Sequence, residues 1–113
     1  MIITRKELKI DELKEMARIS FGNLVKAVVD VDRELIAVDA ELHSDLESLL
    51  LQDGSKQKDL WGINLYPELD GGEFLEFDSM INMRPSQGNK SRGVENVELR
   101  NKISSIIQKK IRR

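Results

Sequence analysis

The chain has 113 residues, of which 40% are hydrophobic and 34% charged, and its formal net charge is −2. It contains no cysteine, which excludes disulfides, cysteine zinc sites and thiol catalysis. No run of about 18 apolar residues is present, so we expect no membrane span. The first four residues are followed by three charged residues at positions 5–7, and this early charged run argues against a secretion signal. We therefore expect one folded cytosolic domain over residues 1–113.

The charge is divided unevenly along the chain. Residues 1–83 carry 9 Lys/Arg and 18 Asp/Glu, a net −9, whereas residues 84–113 carry 9 Lys/Arg and 2 Asp/Glu, a net +7. A basic end of this kind either meets an anionic partner or attracts the acidic part of the protein, within the chain or across a dimer. The sequence leaves both alternatives open.

The first third of the chain predicts a strand, a helix and a hairpin. Residues 2–3 form a short strand, and Asp11 caps a helix that runs to about Phe21. Residues 24–31 and 35–40 are rich in apolar residues and are predicted to pair as a hairpin through a turn at residues 32–33.

The middle of the chain predicts a helix and a second hairpin. Ser44 and Glu47 have the spacing of a capping box, and the helix that follows ends at Gly54. Residues 60–66 and 74–83 then alternate as two strands.

Pairing Tyr66 with Phe74 brings the apolar residues of this second hairpin onto one face, which places Trp61, Leu65 and Phe77 in the core. The same register gathers small and polar residues on the opposite face, namely Gly62, Asn64, Glu76 and Asp78. A glycine opposite a carboxylate leaves room there for another group to approach.

The last quarter of the chain predicts a long polar loop, residues 84–95, and a helix capped by Asn96. The predicted order β-α-β-β-α-β-β-α gives an α+β fold of two layers. The sheet is antiparallel or mixed, has about four to five strands built from two hairpins, and carries three helices on one face. A domain this small has difficulty burying every isoleucine of its last helix, so we expect a homodimer.

The 84–95 loop is the first candidate site, because it is longer than the median connection of about 4–6 residues. Arg84 and Arg92 can each grip a phosphate or carboxylate, and Gly88 and Gly93 allow backbone amides to turn toward an anion. The predicted ligand-binding set joins this loop to the sheet face: Arg84, Gln87, Asn89, Lys90, Arg92, Asn64, Asp78 and Asn82. The alternative is a structural role, in which an arginine latches the loop onto the acidic body.

Two other groups of residues have side chains that could ligate a metal. His43 with Asp45 and Glu47 has ligand spacing, but the capping box already uses the last of these. Glu76 and Asp78 could hold Mg²⁺ or act as acid and base, or they could simply belong to a solvated sheet face.

Three hypotheses for the function follow. The first is a non-enzymatic module that binds a phosphate-containing ligand or nucleic acid through the 84–95 loop, without a cofactor. The second is a metal-assisted hydrolase that uses Glu76 and Asp78. The third is a structural or interaction subunit whose loop packs against a partner chain.

Several strings of the sequence resemble a family of small prokaryotic proteins of unknown function. They are ELH at 41–43, DGS at 53–55, DLWGINLYP at 59–67, EFDSMIN at 76–82 and RPSQGNKSRGVE at 84–95. The resemblance spans about residues 24–107 and implies a bacterial or archaeal cytosolic protein. It implies no reaction, ligand or catalytic residue, because the family has none assigned.

Overall fold

The computed structural model describes residues 1–113, with three helices and seven strands. The helices are Ile10–Ile19 (α1), His43–Gln52 (α2) and Val97–Lys110 (α3). The strands are Ile2–Thr4 (β1), Leu8–Lys9 (β2), Val25–Asp30 (β3), Leu35–Val38 (β4), Leu60–Leu65 (β5), Leu75–Glu76 (β6) and Ile111–Arg112 (β7). None of the helices is long and apolar enough to cross a membrane.

Five strands form one sheet in the order β1-β4-β3-β5-β6, and every neighbouring pair is antiparallel. The two short strands β2 and β7 pair in parallel and tie the N-terminal segment to the end of α3. The predicted α+β class with an antiparallel sheet built from hairpins is confirmed.

The larger core lies between the sheet and the helices α1 and α3. A smaller core lies on the opposite face, where Leu46 and Leu50 of α2 pack on Val28, Ala37 and Leu60. The expectation that all three helices share one face is therefore wrong for α2. The physical reason is that the central strands carry apolar residues on both faces, so each face needs a cover.

The isoleucines of the last helix region are buried within the single chain. Ile103, Ile106, Ile107 and Ile111 are all less than 9% exposed. They contact the sheet and thus give no reason to expect a dimer, which stays an untested prediction.

Helix boundaries differ from the prediction at two starts and agree at one. The helix α1 begins at Ile10, so Asp11 lies inside its first turn. The helix α2 begins at His43 after an extended Leu42, and no side chain caps it, so the predicted capping box at Ser44 is wrong. Asn96 caps α3 as predicted, because its side chain accepts from the N–H of residue 99 at 2.9 Å.

The register of the second hairpin is as predicted. The Tyr66 N–H donates to the Phe74 carbonyl at 2.8 Å, and Leu65 pairs with Leu75. Trp61, at 4% exposed, and the fully buried Leu65 lie in the core.

The strand predicted over residues 74–83 ends early, at Glu76. The chain turns in a 3-10 helix at residues 80–82, and Phe77 is only half-buried. A Cβ on Gly62 would lie 2.5 Å from the Ser79 Cβ. The space above this glycine is thus filled by a residue of the same chain, and the predicted strand gives way to a turn.

Candidate functional site

Asn82 connects the start of the 84–95 loop to the sheet. Its Oδ1 accepts from the Gly62 N–H at 2.8 Å, and its Nδ2 donates to the Gly62 carbonyl and to the Arg92 carbonyl, both at 2.9 Å. The side chain is fully buried. It thus satisfies the backbone of Gly62 at the point where a neighbouring strand would otherwise pair.

Asn89 holds the loop closed upon itself. Its Nδ2 lies 2.7 Å from the Asn82 carbonyl, 3.1 Å from the Ser91 carbonyl and 2.8 Å from the Gly93 carbonyl. Its Oδ1 accepts from the Glu95 N–H at 2.9 Å. Because the side chain is 4% exposed, both predicted ligand-binding asparagines of the loop region face inward and organise its backbone.

Arg84 is bound to backbone carbonyls. Its Nε donates to Ile81 O at 2.9 Å, its Nη1 donates to Gln57 O at 2.8 Å, and its Nη2 donates to Leu60 O. The guanidinium lies 4.4 Å from the Trp61 ring centroid. Burial lowers the pKa of Arg84. No carboxylate forms an ion pair with it.

Arg92 makes the contact that the structural alternative predicts. Its Nε lies 2.6 Å from Asp78 Oδ1, with side chains 53% and 42% exposed. An ion pair this open contributes about 0–1 kcal/mol. It closes the loop over the edge of the sheet without strongly stabilising the protein.

The backbone amides near Lys90 do face an anion, and that anion is a side chain of the protein. The amides of Lys90 and Ser91 donate to Glu95 Oε2 at 2.6 and 2.9 Å. These two bonds lower the pKa of Glu95. The geometry that glycines at 88 and 93 predict for a ligand is therefore occupied by an internal carboxylate.

The polar face of the second hairpin brings together three of the predicted residues. Asn64 Nδ2 and the Tyr66 hydroxyl both donate to Glu76 Oε1 at 2.9 Å. Glu76 raises the pKa of Tyr66. Asn64 Oδ1 is buried without a hydrogen-bond partner. Asn64 Nδ2 also donates to the backbone carbonyl of Asp78 at 3.4 Å, which places Asp78 beside Asn64 and Glu76. Asn82 does not belong to this face group, because it points at Gly62.

His43 is buried, and its Nε2 donates to the Ile63 carbonyl at 2.8 Å. Burial lowers the pKa of His43. No group of three or more His, Asp or Glu side chains is placed to hold a metal ion. The proposed ligand set of His43, Asp45 and Glu47 and the pair Glu76 and Asp78 do not assemble into such a group.

The sequence analysis missed a buried carboxylate at the end of β3. Asp30 is fully buried, accepts from the Ser55 hydroxyl at 2.6 Å and accepts from the Asp32 and Arg33 amides at 2.9 Å. Arg33 in turn donates to Asp53 at 2.8 Å. This network fixes the β3–β4 turn against the loop after α2. Its one signal in the sequence is the string DGS at 53–55.

The basic end of the chain contacts the acidic body, which is the second alternative for the charge division. Four ion pairs join the two parts: Arg92–Asp78, Lys109–Glu34, Arg112–Glu7 and Arg113–Asp70. The positive charge available to an external partner is correspondingly smaller than the sequence indicates.

A cleft of about 660 Å³, here called the loop cleft, lies beside the 84–95 loop. Its walls are residues 58–61, the turn at 87–89 and the first two turns of α3. Lys58 and Lys102 line it, as do Asp59 and Glu98. The exposed Gln87 and Gly88 of the 84–95 loop form part of the cleft wall.

Comparison with known proteins gave one finding. No curated protein and no solved structure matches the chain. Residues 2–110 match the family model described as "Protein of unknown function (DUF5674)". Because the match covers nearly the whole chain, the protein belongs to this family, whose function is unknown.

Proposed function

We propose that the protein is a non-enzymatic module that binds a small phosphate-containing anion in the loop cleft. The observation that carries this proposal is the position of Arg84, a half-buried cation with no carboxylate partner, which holds the residues of the cleft wall. Such a charge keeps a positive potential in the space beside it, since little solvent screens it.

The side chains of the cleft add donors to this potential. Lys102 forms no ion pair, and Lys58 is 4.0 Å from Asp59 at the limit of pairing. The two lysines balance Asp59 and Glu98 in the cleft lining. Arg84 does not line the cleft, but it stacks on Trp61 of the cleft wall and adds a positive charge behind that wall. The first amides of α3 have no partners within the helix and add the positive end of its dipole.

The loop is prepared for binding because it is already ordered. Asn82 and Asn89 fix its backbone through buried hydrogen bonds, and Gln87 donates to the Lys58 carbonyl at 3.2 Å. A ligand therefore meets a wall that loses little conformational freedom on binding, which favours affinity.

A small ligand fits the charges better than nucleic acid does. Four of the basic side chains after residue 83 are paired with carboxylates, and nucleic-acid affinity grows with the number of phosphates neutralised. The cleft offers cations for one phosphate group at a single place. We therefore favour a phosphorylated small molecule, with nucleic acid as the alternative.

The test is a titration of the protein with inorganic phosphate, ADP and a short single-stranded oligonucleotide, followed by the amide NMR signals. We expect saturable shifts at residues 58–61, 87–89 and 96–102. Lys102→Gln should weaken phosphate binding by about 1.5–3 kcal/mol, the cost of one charge-assisted contact. The matched control is Lys109→Gln, since this lysine lies two turns further along the same helix and outside the cleft.

Two results would contradict the proposal. One is the absence of saturable shifts at millimolar phosphate. The other is an equal loss of binding in Lys102→Gln and Lys109→Gln, because that outcome indicates a diffuse charge effect. A response to the oligonucleotide alone, with steep salt dependence, would favour the nucleic-acid alternative.

A further inference from the structure

A second cavity lies along the C-terminal half of α3, and its lining shares no residue with that of the loop cleft. It has a volume of about 620 Å³ and opens between the start of β6 and the last two turns of α3. We call it the α3 pocket. Small-molecule sites have volumes of roughly 300–1,000 Å³ and are lined mainly by apolar and aromatic side chains.

The body of the α3 pocket is apolar. Phe74, Phe77 and Ile107 contribute to its wall. On the side of the β5–β6 connection the wall is made by Gly71 and Gly72, and a Cβ built on either would meet no atom within 4 Å. The glycines thus leave space open beside the aromatic rings.

Arg113 is the one charged residue that lines this pocket, and no acidic side chain lines the pocket. The Arg113 guanidinium lies 4.5 Å from the Phe74 ring centroid. Its carboxylate partner, Asp70, is 3.1 Å away and has a side chain 92% exposed. A pair so open is worth about 0–1 kcal/mol, so Arg113 can exchange it for the anion of a ligand.

From this combination we propose that the α3 pocket binds a small amphipathic carboxylate, a molecule with an apolar body and one anionic end. The apolar body lies against Phe74 and Phe77. The carboxylate accepts from the planar fork of Arg113, a geometry that suits two parallel hydrogen bonds. Ser104 and Gln108 of α3 add neutral hydrogen-bond donors to the pocket wall. The proposal does not depend on the loop cleft.

The pocket also borders β6, which is the last strand of the sheet and has a partner on one side only. A second copy of the chain could therefore pair there instead of a small ligand. The experiment separates these two occupants.

The test is a calorimetric titration with octanoate and with 2-naphthoate, which distinguish an aliphatic from an aromatic body. The neutral 2-naphthamide serves as the uncharged probe. We expect saturable binding of at least one carboxylate. Arg113→Gln should weaken carboxylate binding about tenfold and leave 2-naphthamide unchanged, because it removes only the charged contact. Arg112→Gln is the matched control, since Arg112 pairs with Glu7 and lies outside the pocket lining.

Gly72→Leu is the second variant, because Gly72 lines the pocket and a Cβ there meets no atom within 4 Å, which leaves room for an added side chain at the pocket wall. We expect it to abolish binding of all probes and to melt near the wild-type temperature. The proposal is overturned if neither carboxylate binds at millimolar concentration, if Gly72→Leu binds normally, or if Arg112→Gln loses as much as Arg113→Gln. It is also overturned if light scattering shows a dimer that Gly72→Leu dissociates while the carboxylates do not bind.

Discussion

Replacing Gly62 by alanine is expected to destabilise the protein by about 1–5 kcal/mol. A Cβ at this position would lie 2.5 Å from Ser79 Cβ, 2.6 Å from Ser79 Oγ and 3.1 Å from Ile81 Cγ1. Ser79 is 1% exposed, and its N–H donates to the Arg92 carbonyl at 2.9 Å. The turn at 79–82 cannot retreat without breaking its own contacts.

The expected loss of stability has two contributions, overpacking and lost hydrogen bonds, and one smaller effect of opposite sign. Overpacking costs about 1–3 kcal/mol. Displacing Asn82 from the Gly62 backbone loses two buried hydrogen bonds, each worth about 0.5–1.5 kcal/mol. Against this, alanine is favoured over glycine inside a strand by roughly 0.5–1 kcal/mol. The sign of the change therefore tests whether the contact exists.

The assay is urea unfolding. With a slope of about 2 kcal/mol per molar urea, in the middle of the usual range, the midpoint should fall by roughly 0.5–2.5 M. Gly72→Ala is the matched control, because its Cβ meets nothing within 4 Å, and it should change the midpoint little. Adding Ser79→Gly to the Gly62→Ala variant should recover part of the loss. A midpoint for Gly62→Ala equal to or above that of the wild type would refute the reasoning.

Three further expectations follow from the contacts described above. Asn82→Ala should cost about 2–4 kcal/mol in urea unfolding, because it leaves the buried N–H and C=O of Gly62 unpaired; a loss below about 0.5 kcal/mol would contradict this. A double-mutant cycle on Arg92→Ala and Asp78→Ala should give a coupling below about 1 kcal/mol, since the pair is open to solvent. Because burial lowers the pKa of His43 below 6.5, the unfolded chain takes up this proton first as the pH falls, so stability is full above about pH 6.5 and declines below it. His43→Gln should flatten that decline between pH 5 and 7, as followed by thermal melts, and an unchanged slope would count against it.

The sheet was predictable from the sequence wherever apolar residues mark the strands. The strands β3, β4 and β5 follow from their short runs of mostly apolar residues, and the pairing of Leu65 with Leu75 follows from matching the apolar positions of the second hairpin. The position of α2 was not predictable in the same way. Val28 and Leu60 look like ordinary strand residues, and only the three-dimensional arrangement shows that a second helix covers them.

The end of the second hairpin shows where alternation fails. Residues 75–78 continue the apolar–polar pattern, yet pairing stops at Glu76. The outcome depends on Asn82, whose side chain reaches a residue 20 positions away and replaces the backbone of a strand. A sequence pattern does not reveal whether an asparagine faces solvent or the backbone of a distant strand.

The candidate site was predicted by residue type, and the same types explain why half of it is structural. Arginine and asparagine are good anion ligands because they carry several donors, and those donors serve backbone carbonyls equally well. In the 84–95 loop the acceptors are internal, because Asn89 donates to carbonyls of the loop and Arg92 donates to the Asp78 carboxylate. The number of donors in a loop thus predicts that it will be ordered by hydrogen bonds, but it does not identify the acceptor.

Arg84 combines a structural role with a positive charge that no ion pair neutralises. Its guanidinium satisfies three carbonyls, so the loop is firmly attached to residues 57–60, yet carbonyls neutralise no net charge. In contrast, Arg112 forms an ion pair with Glu7, so its charge is neutralised within the chain. Arg84 does not, and its burial keeps the surrounding dielectric low. The charge of Arg84, which lies behind Trp61 of the cleft wall and has only Glu47 as an acidic neighbour, is the ground on which we propose an anion in the loop cleft.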